Sequence, residues 1–150
     1  PLSREHKDIS GVSDPNTSDD SSEYAMKLYH TPGACSLAPH IVLLEAGLAA
    51  TLVKVDTKTH KSADGGDFYA INPKGYVPLL ELDDGERLSE GPVIVQYLAD
   101  RNPSSKLAPA AGTMDRYRLQ EWLNFITSEL HKQFGPLFQV KPPAEYQEEL

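Results

Sequence analysis

Four groups of residues carry side chains or amides that could do chemistry. The first is Cys35, the one cysteine of the 150-residue chain, set in Tyr29-His-Thr-Pro-Gly-Ala-Cys35-Ser-Leu-Ala-Pro. A lone thiol cannot close an intramolecular disulfide. In the first turn of a helix it would face unpaired backbone N–H groups and the positive end of the helix dipole, which favour the thiolate. A small buried hydrophobe is the other reading of the same residue. The second group is Val77-Pro78. Proline is tolerated where a strand begins, and a cis bond there would leave the Val77 backbone free to pair with an extended peptide. An ordinary strand-start proline fits equally. The third is Glu90-Gly91, a carboxylate for a ligand ammonium beside a bare amide for a ligand carboxylate, or else a plain acidic helix cap. The fourth is Asn124 and His131, seven residues apart. Seven α-helical steps of about 100° return to nearly the same face, about 10.5 Å along the axis. That is one wall of a cleft, or a solvated polar stripe.

These groups need elements to hold them. Lys27–His30 reads as a strand and Ser36–Ala46 as a helix, with Leu37, Ile41, Leu44 and Leu48 at helical spacing and Gly47 as its C′ residue. Pro39 falls in the first turn, where its missing N–H does no harm. Thr51–Asp56 is a β-branched strand, 57–66 a polar loop, and Asp67–Ile71 a short helix stopped by Asn72-Pro-Lys-Gly. Val77–Leu82 and Arg87–Ser89 flank Asp83-Asp84-Gly85, a hairpin signal. A helix opens at Glu90-Gly-Pro and runs to about Asp100. The order β-α-β-α-β-β-α predicts an α/β domain with a mixed sheet, which is the thioredoxin-like order. In that order the Val77-Pro78 loop lies beside the start of the first helix, next to Cys35.

The domain is expected over 26–101, a Pro/Ala/Ser linker over 102–112, and the first part of an all-α domain over 113–150. Leu119, Leu123, Ile126 and Leu130 give its long helix an apolar stripe, and Gly135-Pro136 should kink or end it. Lys141–Leu150 reads as the start of a further helix, so the second domain is expected to be truncated or completed by another subunit. Residues 1–25 carry six acidic and two basic side chains and little aliphatic sequence, the composition of a disordered acidic tail.

A net charge of −8 argues against nucleic acid and anionic membrane surfaces as partners. No apolar run reaches membrane-span length and no secretory leader is recognisable. Without cysteine pairs, a reducing cytoplasmic setting is expected. The five histidines, His6, His30, His40, His60 and His131, lack metal-ligand spacing, so no metal is expected.

Four motifs in order carry a resemblance. They are Met26-Lys-Leu-Tyr-His-Thr-Pro-Gly-Ala-Cys-Ser-Leu-Ala-Pro-His-Ile-Val-Leu, Ala70-Ile-Asn-Pro-Lys-Gly-Tyr-Val-Pro, Glu90-Gly-Pro-Val-Ile-Val-Gln-Tyr-Leu-Ala-Asp and Glu121-Trp-Leu-Asn-Phe-Ile-Thr-Ser-Glu-Leu-His-Lys. From Met26 onward the chain resembles the bacterial beta-class glutathione S-transferases. The resemblance implies a cytosolic, homodimeric detoxification enzyme that joins glutathione, its co-substrate, to hydrophobic electrophiles. It further implies that Cys35 contacts the glutathione sulfur, that Val77 ahead of cis-Pro78 pairs with the cysteinyl part, and that Glu90 and Gly91 hold the γ-glutamyl end. Asn124 and His131 would face the thiol, His131 relaying charge. His60 stands where the family often has a lysine for the glycyl carboxylate, with Lys61 as a substitute, and Tyr76 stands where glutamine is common. His30 replaces a common tyrosine. Two alternatives accompany this reading: glutaredoxin-like monothiol exchange through Cys35, and a non-catalytic glutathione-binding module.

Overall fold

The computed structural model describes residues 26–138. The expectations for 1–25 and for 141–150 lie outside the described residues. The described elements run β1 (Lys27–His30), α1 (Leu37–Glu45), β2 (Thr51–Asp56), β3 (Lys61–Ser62), α2 (Phe68–Ile71), β4 (Leu79–Glu81), β5 (Arg87–Ser89), α3 (Gly91–Arg101) and α4 (Met114–Phe125). The sheet order is β3-β2-β1-β4-β5. β1 pairs with β2 in parallel and with β4 antiparallel, so the sheet is mixed and β1 is its central strand. The expected order holds, with one addition. The loop expected at 57–66 contains the two-residue strand β3, which returns antiparallel along β2.

Alternation along the strands sorts side chains to two faces. Leu28 and Leu80 point to one, where they meet Leu43 of α1 and Ile94 and Leu98 of α3. Tyr29 and Leu79 point to the other, against Val55, Phe68 of α2 and Val77. The sheet is therefore a middle layer, with α1 and α3 on one side and α2 on the other. The stripe of Leu37, Ile41 and Leu44 expected to organise α1 is exposed; the helix buries Pro39 and Leu43 instead. Pro39, Val42, Leu43 and Ala46 form the opposite face at the same spacing, so periodicity alone could not choose between the two.

Asn102–Gly112 is irregular apart from a 3₁₀ turn at Pro103–Ser105. Thr113 caps α4, its hydroxyl accepting from the Arg116 amide at 3.2 Å. Arg116, 4% exposed, joins α4 to α3. Its guanidinium donates to both carboxylate oxygens of Asp100, Nη1 to Oδ2 at 3.0 Å, and its Nε donates to the Pro109 carbonyl at 2.7 Å. Beyond Phe125 the helix widens into a π-helical turn over Ile126–His131, and a 3₁₀ turn over Gly135–Phe138 follows where an end was expected. Among the described residues no helix is long and apolar enough to cross a membrane.

Candidate functional site

Cys35 lies in the turn between β1 and α1. The helix begins at Leu37 with Ser36 as N-cap, so the thiol precedes the first turn instead of lying within it. The turn is closed by Ser36, 1% exposed, whose hydroxyl donates to the Thr31 carbonyl and accepts from the Thr31 amide, each at 3.1 Å. The Thr31 hydroxyl in turn donates to the Val55 carbonyl of β2 at 2.6 Å. These bonds fix the loop against the sheet. Cys35 Sγ donates to the Val77 carbonyl at 3.4 Å. Residue 35 as a whole is exposed, but its sulfur is turned toward that carbonyl.

The thiol's electrostatics correct the expectation drawn from the helix dipole. Burial of the sulfur raises the Cys35 pKa; the amides of Cys35 and Ser36 lower it, and the Glu90 charge raises it again. The net direction is up. With the sulfur one residue ahead of the N-cap, the amides offset only part of the desolvation.

The Val77–Pro78 peptide is cis. Val77 stands just before β4, so its amide is outside the ladder. Gly91 abuts this loop: a Cβ built on it would lie 4.0 Å from Pro78 Cγ. Glu90, N-cap of α3, has φ of 71°, a left-handed conformation that L-residues rarely hold and that often marks a functional constraint. Its carboxylate meets Lys74 Nζ at 3.2 Å. Lys74 comes from the Asn72–Gly75 turn, which Asn72, 6% exposed, organises by donating to the Tyr76 carbonyl and accepting from the Lys74 amide. Gly75, at φ of 67°, has no room for a Cβ, which would sit 2.6 Å from the Tyr69 ring and 2.9 Å from His60 Nδ1. His60 stacks on Tyr69 with ring centroids 4.3 Å apart, and its Nδ1 is buried without a partner.

These pieces surround one cavity of about 710 Å³, in the range of small-molecule sites. Eight of the ten residues singled out from sequence line it: Cys35, His60, Tyr76, Val77, Pro78, Glu90, Gly91 and His131. Leu123, Ile126, Thr127 and His131 supply the wall from the long helix, and Val95 and Pro92 supply that from α3. Two expected residues are elsewhere. Lys61 sits in β3, paired with Asp56, and is absent from the lining. Asn124 lines a smaller cavity with Gln96 and Gln120 that adjoins the first and shares Glu90, Pro92, Leu123 and Thr127 with it. The reason is the π turn: each of its steps rotates less than an α-helical step, so residues before and after it no longer share the face that 100° spacing implies. Sequence reasoning missed Lys74, although a cation in an Asn-Pro-Lys-Gly turn was its signal. Thr57, Asn72 and Ser89, also on the lining, gave no comparable signal.

Comparison with known proteins gives close relatives. Residues 33–101 match the model of the glutathione S-transferase N-terminal domain. Over 121 residues the chain is 52% identical to glutathione S-transferase GstA of Escherichia coli O157:H7, covering 81% of this chain and 60% of that protein. The structure of a ternary complex of BphK, a bacterial glutathione S-transferase, superposes with a TM-score of 0.80 at 58% identity, covering 82% of this chain and 62% of that one. A sphingomonad glutathione S-transferase complexed with glutathione gives a TM-score of 0.79 at 52% identity, with coverage of 81% and 61%. The chain thus spans about 60% of the length of these relatives. Its thioredoxin-like sheet, its cavity and these likenesses make it, over the part of their length that it spans, a close homologue of the bacterial beta-class glutathione S-transferases.

Proposed function

We propose that this chain binds glutathione in the cavity beside Cys35 and transfers its sulfur to hydrophobic electrophiles. The observation that carries the reading is the convergence of Cys35, Val77, Glu90, Gly91 and His131, drawn from four separate stretches of sequence, on that cavity. The Val77 backbone offers strand-like pairing to the cysteinyl part of glutathione. Glu90 takes the γ-glutamyl ammonium, and the Gly91 amide takes the carboxylate next to it. His60, through the nitrogen that Gly75 does not cover, takes the glycyl carboxylate.

Cys35 then acts as a donor. A thiol with a raised pKa is protonated at neutral pH and can turn its S–H from the Val77 carbonyl to a glutathione thiolate. His131 accepts the proton that glutathione loses. The thiolate sulfur attacks the electrophilic carbon, a carbon–sulfur bond forms, and the halide or equivalent leaving group departs with its electron pair. Leu123, Ile126, Val95 and Pro92 give the electrophile an apolar wall. The raised thiol pKa weighs against the monothiol-exchange alternative, which needs Cys35 itself as thiolate. The same reading makes the working protein a cytoplasmic homodimer serving detoxification. The exposed Val93, Tyr117, Trp122 and Phe125 are apolar surface that a second copy would cover.

Retention on glutathione resin and conjugation of a chloronitrobenzene test this directly. We expect both from the chain, with conjugation reduced at least tenfold in Cys35→Ser or His131→Ala at unchanged melting temperature, the order of loss for one positioned donor or base. A chain that forms a glutathionyl adduct on Cys35 with oxidised glutathione yet conjugates nothing is an exchange protein. One that does neither is not an enzyme of this class.

A further inference from the structure

The start of α3 is short of hydrogen-bond donors. Its first residue, Gly91, has an amide and no side chain, and its second, Pro92, has no N–H at all. The next two amides, of Val93 and Ile94, both donate to the Glu90 carbonyl at 3.0 Å. One amide therefore remains for any carboxylate seated there, whereas a carboxylate has two oxygens and about four acceptor positions. The missing donor is within reach. Lys74 Nζ lies 3.2 Å from Glu90 Oε1, held over this spot by a backbone turn that Asn72 bonds from both sides. Among the described residues lining the cavity, Lys74 is the one Lys or Arg. Ser89, also on the lining, offers a neutral hydroxyl from β5.

We infer that Lys74 is a specificity-determining residue: with Glu90 it recognises a carbon bearing both an ammonium and a carboxylate. This rests on the proposed placement of the γ-glutamyl end at Glu90 and Gly91. Without ligand, Lys74 and Glu90 satisfy each other in an exposed pair, which holds weakly and parts readily. A zwitterionic end inserts between them. Its ammonium replaces Lys74 on Glu90, and its carboxylate receives the displaced Lys74 together with the Gly91 amide. One ion pair becomes two. A ligand with the ammonium alone must evict Lys74 and give it nothing in return; a ligand with the carboxylate alone must draw Lys74 away from Glu90. Both charges on one carbon are needed for the exchange to be favourable.

The test is calorimetric titration of the chain and its Lys74→Gln and Lys74→Arg variants with three ligands. These are glutathione, 4-aminobutanoyl-cysteinyl-glycine, which lacks the α-carboxylate, and glutaryl-cysteinyl-glycine, which lacks the ammonium. Lys74→Gln should weaken glutathione binding roughly fivefold, the scale of one exposed charge pair. It should leave the decarboxylated analogue unchanged or tighter, and Lys74→Arg should restore glutathione. Equal weakening of both ligands would make Lys74 structural, and tighter glutathione binding would make it a mere competitor for Glu90; either overturns the inference while the binding reading stands. Failure of the unmodified chain to bind glutathione would remove that reading, and this inference with it.

Discussion

In the proposed reaction the labour is divided between two sulfurs: Cys35, whose pKa is raised, donates a hydrogen bond, and the glutathione sulfur attacks. The direction of the pKa shift makes this measurable. Burial and the Glu90 charge raise the Cys35 pKa against the pull of two amides. The rate of alkylation by iodoacetamide should therefore rise with pH to a midpoint above the ordinary thiol value of about 8.5. Glu90→Gln removes one raising contribution and should move that midpoint down. A midpoint near neutrality in the unmodified chain would show that the helix amides prevail after all. Residue identity made most of this site legible, because Cys35, Val77-Pro78 and Glu90-Gly91 each have a chemistry that their neighbours announce. Lys74 escaped because nothing in a turn sequence says which way a long cation reaches. Lys61 was included because it is adjacent to His60, and adjacency along a chain turning into a strand does not mean a shared surface.

At the level of elements, the Asn72–Gly75 turn governs the cavity's rim. Gly75 combines φ of 67° with the Tyr69 and His60 rings at distances no Cβ tolerates. Gly75→Ala should destabilise the protein by roughly 2–4 kcal/mol, from backbone strain and overpacking together. A urea titration would measure it, and a loss under about 1 kcal/mol would mean the stacked rings can move aside. The elements also show where sequence periodicity stops informing. α1 is apolar on opposite faces, and the sheet's demand for Pro39 and Leu43 settles which face is buried. The π turn at Ile126–His131 has no apolar signature, so the α-helical geometry that joined Asn124 to His131 did not survive it. The strands fared better. β1, β2 and β5 have the bounds that β-branched runs and hairpin residues imply, and β4 starts late because Val77-Pro78 stands outside the ladder.

Across the whole molecule, Arg116 couples the helix that carries His131 to the domain that carries Cys35. The guanidinium holds Asp100 below the usual carboxylate range, mainly through their hydrogen bonds. A carboxylate whose folded pKa is depressed adds stability that is present above its unfolded pKa of about 3.9 and is lost as pH falls through the folded value. Arg116→Met should thus lower stability at neutral pH by about 1–2 kcal/mol, several degrees of melting temperature, discounted because half of Asp100 faces solvent. Melting curves taken at descending pH should show the gap between variant and unmodified chain closing below about pH 4. A gap independent of pH would assign the loss to the Pro109 contact and to packing. The architecture itself was readable from element order, whereas this clamp was not, since an Arg–Asp pair separated by a linker leaves no pattern. The closed turn from Thr31 to Ser36 has a consequence of its own. Its conformational entropy is lost once, when the chain folds and Ser36 and Thr31 tie it to the sheet. On the proposed binding mode, a flexible peptide arriving later gives up mainly its own freedom, because the loop proposed to receive its sulfur is already tied down.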